Sequence, residues 1–334
     1  MDSNLIRIIF KCFKQILLLK NLKYLLSFSL LSLFFIFTFK WIFLSSDWLV
    51  ITSNLQLFAY GSFPKDQQWR PFVWIFTLLI LSIFTIYIPK KKRFKNNLLT
   101  AWIGTLPLGI LLLYGGIGLS PVMSRNFGGL TLTILLTLCS FLIALPIGIG
   151  LAFCRQSSLF IIKLLSSIYI DIMRSIPLIA VLFFGQLLIP LFLPLGFEID
   201  RVWRAIFAFT LFVSAYIAED IRGGLKSIPY SQIEAAKSLG LNHLQIIRFI
   251  LIPQALSFSL PALTNQSIGL FQNTSLMSIL GLVELLGVGR SVLANPKFIG
   301  QYIEVYIWLA SVYWVICTIM ALIARNLEKK LKIT

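Results

Sequence analysis

The chain carries repeated apolar runs long enough to cross a lipid bilayer, and this restricts it to few architectures. A helix needs about 20 apolar residues to span the hydrocarbon core, and runs such as 24–44 and 128–153 reach that length. Only 12% of its 334 residues are charged and 58% are apolar, against roughly 25% charged in an ordinary soluble domain. The expected fold is an all-α integral membrane protein with about eight transmembrane helices. They are read at 24–44, 71–89, 98–119, 128–153, within 160–194, at 203–220, within 251–275 and at 304–324. The stretch 160–194 is too long for one straight span and is expected to break at Pro177. The 45–70 segment reads as a polar external loop. A short apolar piece, 276–289, follows the seventh span.

The net charge of +17 does not point to nucleic acid, because the basic residues sit at the ends of apolar runs. If the amino terminus is cytoplasmic, cytoplasmic segments hold 20 of the 29 lysines and arginines and external segments hold seven. That bias predicts both termini inside the cell. The basic start followed by the 24–44 run could pass for a signal peptide. The run is too long for a signal core and lacks a small-residue cleavage site, so it reads as an uncleaved first span. Cys12, Cys139, Cys154 and Cys317 are scattered without metal-site spacing, so no metal site is expected.

The loop after the sixth span carries the most specific pattern. Ser231 and Glu234 have capping-box spacing and predict a helix start. Gly240 is placed to end that helix in the left-handed conformation. Asn242 is placed to cap a second helix, with Gln245 three residues on, leading into Pro253 and the membrane. Such a capped loop is either ordinary ordered surface or a docking element, where small Ala235 and Ala236 permit close approach by a partner.

Glu234-Ala235-Ala236, then Gly240, then Ile250-Leu251-Ile252-Pro253 resembles the EAA loop of ATP-binding-cassette (ABC) importer permeases. Ile252 stands where that pattern usually has Leu. Ala215 to Glu219, Arg222-Gly223-Gly224, Ser227-Ile228-Pro229, Arg174 to Leu178, Leu191 to Pro194 and Asn273 to Leu276 are similar to the polar amino-acid branch of these permeases, and particularly to general L-amino-acid uptake systems. Gln272-Asn273 and Arg174-Ser175 depart from that pattern. The resemblance implies a type I permease domain of five spans over 128–328, with 221–252 as its coupling loop and 1–127 as a three-span extension. It implies a bacterial inner-membrane location. It also implies a second permease subunit, identical or merely homologous, cytoplasmic ATPase subunits docked at Glu234, Ala235, Ala236, Gly240 and Pro253, and a periplasmic amino-acid-binding protein. ATP and Mg would be used by those partners. The remaining contact is membrane lipid.

The sequence contains no Gly-x4-Gly-Lys-Ser/Thr phosphate loop, so no ATP hydrolysis and no catalytic residue is expected of the chain itself. Its single histidine, His243, lies in the docking loop and reads as a surface residue. Asp171 and Arg174, three apart, are read as an interfacial pair or as a gate. The polar patch Gln272 to Ser275 is read either as helix-packing glue or as a helix broken near Asn273. In the second case free N–H groups at Thr274 and Ser275 would favour a substrate carboxylate. The substrate-path candidates are therefore Asn273, Thr274 and Ser275, with Arg174 and Gln186 beside them. An ion-coupled secondary transporter is the alternative, but its usual mid-membrane carboxylates are missing apart from Glu284. A membrane-embedded enzyme would need a His or carboxylate cluster that the sequence does not supply.

Overall fold

The computed structural model of the chain describes residues 48–87, 92–194 and 196–331, with isolated positions at 29, 30, 32, 33 and 40. The expected first span, 24–44, lies outside the described residues apart from those positions. All regular elements among the described residues are helical. In chain order they are α1 (Leu49–Tyr60), α2 (Trp69–Tyr87), α3 (Lys92–Tyr114), α4 (Gly129–Cys154), α5 (Phe160–Ser175), α6 (Leu178–Phe183), α7 (Arg201–Lys226), α8 (Tyr230–Ser238), α9 (His243–Ile246), α10 (Ile252–Asn273), α11 (Leu285–Leu293) and α12 (Tyr302–Leu331).

Helical stretches at 65–87, 129–154, 201–226, 243–278 and 302–329 are long and apolar enough to cross a membrane. A sixth is the pair Phe160–Ser175 and Leu178–Phe192, bent by 104°. The bend falls where expected. Pro177 crowds the backbone before it out of the helical region, and Ile176 is extended at φ −87° and ψ 135°. The expected third span ends before its predicted limit of 119, since its helix is Lys92–Tyr114. It stops because Gly115 and Gly116 turn the chain at φ 88° and 118°.

The 45–70 segment is not a plain loop: it contains α1. Val50, Ile51 and Phe58 form the buried face of that helix and pack with Leu285, Val288, Val305 and Leu309 from α11 and α12. The polar residues that disguised it turn outward. There the Ser53 hydroxyl donates back to the Leu49 carbonyl at 2.6 Å. The end of α1 is pressed against the start of α4. A Cβ on Gly61 would lie 2.3 Å from the Gly128 Cα, and one on Gly129 2.3 Å from the Phe58 carbonyl oxygen. The Thr131 hydroxyl donates to the Ala59 carbonyl at 2.8 Å.

α2 and α3 pair as a hairpin. The Trp74 indole donates to the Thr105 carbonyl at 2.9 Å, and Gly109 leaves room for the ring: a Cβ there would sit 2.4 Å from it. The Asn326 amide of α12 donates to the Thr85 carbonyl at 2.8 Å and also to that of Ile86, which satisfies carbonyls at the free end of α2. The centre of the bundle is the α4–α7 pair, which contributes Leu132, Leu135, Leu136, Phe209 and Ile217 to the core. Gly148 brings the two backbones close, since a Cβ there would meet the Ile217 side chain at 2.5 Å. α10 crosses α7 at Gly224, where the Ser259 hydroxyl donates to the Asp220 carbonyl at 2.8 Å.

Candidate functional site

The loop between α7 and α10 is a helix, a turn and a helix. α8 begins at Tyr230, directly after Pro229, whose side chain makes no cap bond. The Ser231–Glu234 capping box therefore does not form. Proline fixes φ near the helical value and starts the helix early, which places Ser231 inside the first turn. The stop is as predicted. Gly240 has φ 79°, the Leu241 N–H reaches back to the Ala236 carbonyl at 3.1 Å, and the Gly240 N–H bonds the Lys237 carbonyl at 2.9 Å. These are the two bonds of a Schellman ending. Asn242 and Gln245 form the reciprocal box: the Asn242 side chain accepts from the Gln245 N–H and the Gln245 side chain from the Asn242 N–H, both at 2.9 Å. Ile247–Leu251 continues as a π-helical turn into α10, with Pro253 in its first turn.

Glu234, Ala235 and Gly240 are exposed. Ala236 is buried, with 2% of its surface accessible. It packs within the chain and does not present itself to a partner, so its small size serves the seating of α8. Around these residues Tyr230, Leu239, Leu244 and Phe249 are exposed by 63%, 81%, 75% and 62%.

The expected pairing of Asp171 with Arg174 is replaced by a wider network. Arg155, at the end of α4, contacts Asp171 at 2.9 Å and Glu219 at 3.5 Å. Arg174 contacts Glu219 at 3.8 Å and lies over the Tyr216 ring. Arg222 also bonds Glu219, through its Nε at 2.9 Å and through a second guanidinium nitrogen. Glu219 thus gathers three arginines from α4, α5 and α7. Arg155 and Glu219 were not singled out as partners in the sequence because they are 64 positions apart.

The polar patch at the end of α10 does not break at Asn273. The chain tightens into a 3-10 turn over Thr274–Ser278, and the Thr274 N–H stays bonded to the Leu270 carbonyl. No free N–H is presented at Thr274 for a carboxylate. Asn273 is exposed, Thr274 fully buried and Ser275 half-buried. The Thr274 hydroxyl donates to the Phe271 carbonyl at 2.7 Å. The chain leaves the helix later, at 279–283, and α11 begins after Glu284. The N-terminus of α11 is closed by the protein itself, because the buried Glu284 carboxylate accepts from the N–H groups of Leu286 at 2.8 Å and Gly287 at 2.9 Å. Gln186 is buried in the π-helical turn after α6. Its amide donates to the Arg201 carbonyl at 2.8 Å, and Arg204 donates to the Gln186 carbonyl at 2.6 Å. Its contacts tie the broken span to α7. Among the described residues, no hydrogen bond or ion pair joins Arg174 or Gln186 to Asn273, and the contacts of Arg174 and Gln186 run to Glu219 and to α7. No group of three or more potential metal ligands occurs among the described residues.

Residues 144–333 match the model of the binding-protein-dependent transport system inner membrane component family. The chain is 38% identical over 287 residues to the inner membrane amino-acid ABC transporter permease protein YhdY of Escherichia coli K12, covering 85% of this chain and 77% of that protein. It is 32% identical to the glutamate/glutamine/aspartate/asparagine transport system permease protein BztC of Rhodobacter capsulatus, covering 85% and 79%. Among solved structures, an amino acid ABC transporter crystallised with histidines superposes with a TM-score of 0.54 at 31% identity, over 60% of this chain and 91% of that one.

Proposed function

From the chain's membership of the binding-protein-dependent transport system inner membrane components, we propose a division of labour in which this subunit moves the substrate and its partners supply the energy. The protein is the multi-pass inner-membrane permease subunit of an ABC importer for amino acids. Its coupling element is α8, Gly240 and α9. Cytoplasmic ATPase subunits carrying ATP and Mg seat on that element, a second permease subunit completes the pathway, and a periplasmic binding protein delivers the amino acid. Both termini then face the cytoplasm, 128–328 is the transport domain and 1–127 its extension.

The observation that carries the coupling role is the exposure of Tyr230 and Leu239 on the loop before the 243–278 stretch, with Leu244 and Phe249 exposed at the start of that stretch. Large apolar side chains clustered on a water-facing loop mark a protein interface. Glu234 and Ala235 lie on the same exposed element, while Ala236 and the Schellman turn hold it rigid. α8 is also strapped to α10 by the Gln254–Gln232 amide bond at 2.7 Å, so a push on the loop reaches the span. The test is Leu239→Asp and Leu244→Asp in the co-expressed transporter. Both positions are exposed, so membrane insertion stays normal, while ATPase subunits cease to co-purify and uptake is lost. Co-purification and uptake at wild-type levels in both variants would refute the docking role.

For the substrate, Asn273 and Ser275 are the accessible polar side chains of the former break candidate, acting through their side chains and not through a helix terminus. Thr274 supports them from inside, and Arg174 acts within the Glu219 network.

A further inference from the structure

One ridge of α12 connects α11 to the polar turn at the end of α10. Val305, Leu309, Tyr313 and Cys317 recur every four residues, so they share one face of that helix. Val305 and Leu309 pack on α11 so closely that a Cβ on Gly289 would lie 2.7 Å from the Leu309 side chain and 3.3 Å from that of Val305. Further along, the same ridge meets the end of α10. The Tyr313 ring lies edge-on against Phe271, with centroids 5.4 Å apart, and the Gln272 amide donates to the Cys317 sulfur at 3.7 Å.

The Tyr313 hydroxyl sits between two polar groups. It donates to Oε2 of Glu284 at 3.4 Å and is hydrogen-bonded to the Thr274 side chain. The Thr274 hydroxyl proton is already given to the Phe271 carbonyl at 2.7 Å, so Thr274 faces Tyr313 as an acceptor. The one phenolic proton is therefore shared between the Thr274 hydroxyl and the Glu284 carboxylate. Glu284 is the anchored end. Its side chain is fully buried and accepts from the N–H groups of Leu286 and Gly287 at 2.8 and 2.9 Å. The backbone on either side of it is tied to α4: the Gly129 N–H donates to the Val283 carbonyl at 3.0 Å, and the Leu285 N–H to the Thr133 hydroxyl at 3.1 Å. The other end is the 3-10 turn over Thr274–Ser278. Its backbone bonds have poorer geometry than those of an α-helix, so a side-chain tie carries more of the work of holding it. Thr274 is fully buried, while Asn273 before it is exposed and Ser275 after it half-buried. Fixing Thr274 sets the direction of both neighbours.

We propose that Tyr313 is a positioning residue for the substrate: it ties Thr274 to the anchored Glu284 carboxylate and so aims Asn273 and Ser275 into the pathway. The inference rests on the reading of Asn273 and Ser275 as substrate contacts. Tyr313 itself touches no substrate. Without its hydroxyl the turn samples other arrangements, and apparent affinity falls with the competent fraction.

The test measures amino-acid binding to the assembled transporter, purified without the binding protein. The probe is a radiolabelled mixture of the proteinogenic L-amino acids, displaced by the same mixture unlabelled. Tyr313→Phe keeps the ring on Phe271 and removes only the hydroxyl. It should weaken apparent affinity about fivefold, the weight of one neutral hydrogen bond, with the number of sites per complex unchanged. Thr274→Val should match it, and Thr274→Ser, which retains the hydroxyl, should bind as the wild type does. Tyr313→Phe combined with Thr274→Val should bind no more weakly than the weaker single variant, because both cut one link. Unchanged affinity in Tyr313→Phe overturns the proposal, as do losses that simply add in the double variant. Fewer sites or a lower unfolding temperature at unchanged affinity shows a packing role and overturns it too. If Tyr313→Phe does not assemble, equal affinity in Thr274→Val and Thr274→Ser overturns it. Asn273→Ala and Ser275→Ala separate the two levels of the argument. If they weaken binding and Tyr313→Phe does not, only the positioning role falls. If they leave binding unchanged, the substrate contacts fail and the positioning role falls with them.

Discussion

Gly240 is the position where one substitution separates backbone geometry from surface contact. Its φ of 79° costs a side-chain-bearing residue roughly 1–2 kcal/mol, and a β-branched residue is a stronger outlier there. A Cβ added at Gly240 meets nothing within 4 Å in the chain, so strain is the whole intramolecular effect. If the Schellman turn is only marginally preferred, 1–2 kcal/mol lowers its population by up to about 5–30-fold. Apparent affinity for the ATPase subunits falls by the same factor, since it scales with the competent fraction. The series is Gly240→Asn, Gly240→Ala and Gly240→Val, read by ATPase-subunit binding to the purified permease and by uptake. Asparagine tolerates the left-handed region, so the order of activity is Gly, Asn, Ala, Val, with Val the least active and all variants inserting normally. Val at wild-type binding and uptake would refute the argument. If Asn is as damaging as Val, the cause is bulk against the partner and not backbone strain.

Three further outcomes follow from the site. Glu219→Gln leaves three arginines facing one another and should lower stability by about 1.5–3 kcal/mol, the range for hydrogen bonds to charged groups. Asp171→Asn, at a side chain 60% exposed, should cost under about 1 kcal/mol; thermal unfolding of the detergent-solubilised transporter reads both, and equal shifts would deny Glu219 its central place. Asn273→Ala and Ser275→Ala should weaken amino-acid-stimulated ATP hydrolysis at subsaturating substrate with assembly intact, and normal stimulation in both would reduce this stretch to packing. Reporters fused after Thr334 and within 90–97 should read cytoplasmic and one within 45–70 external, and a cytoplasmic signal from 45–70 would overturn the orientation.

The sequence by itself determined what depends on neighbours along the chain. Apolar length alone marks the spans at 129–154, 201–226 and 302–329. Pro177 alone forces the bend within 160–194. The stop at Gly240 and the Asn242–Gln245 box were legible because their bonds join residues within five positions of each other. The tertiary structure decided the rest. α1 looked like a polar loop because its buried face is defined only when Leu285 and Val305 arrive from more than 200 positions away. Arg155 became a partner of Glu219 only because α4 and α7 pack side by side. The polar stretch at 272–275 suggested a break, yet the backbone stays bonded through Thr274 and the chain leaves the helix at 279–283, next to a helix whose N-terminus Glu284 already closes. Local bonds are written in spacing, whereas a buried face, an ion pair or a helix end shared with another helix is set by which surfaces the fold brings into contact.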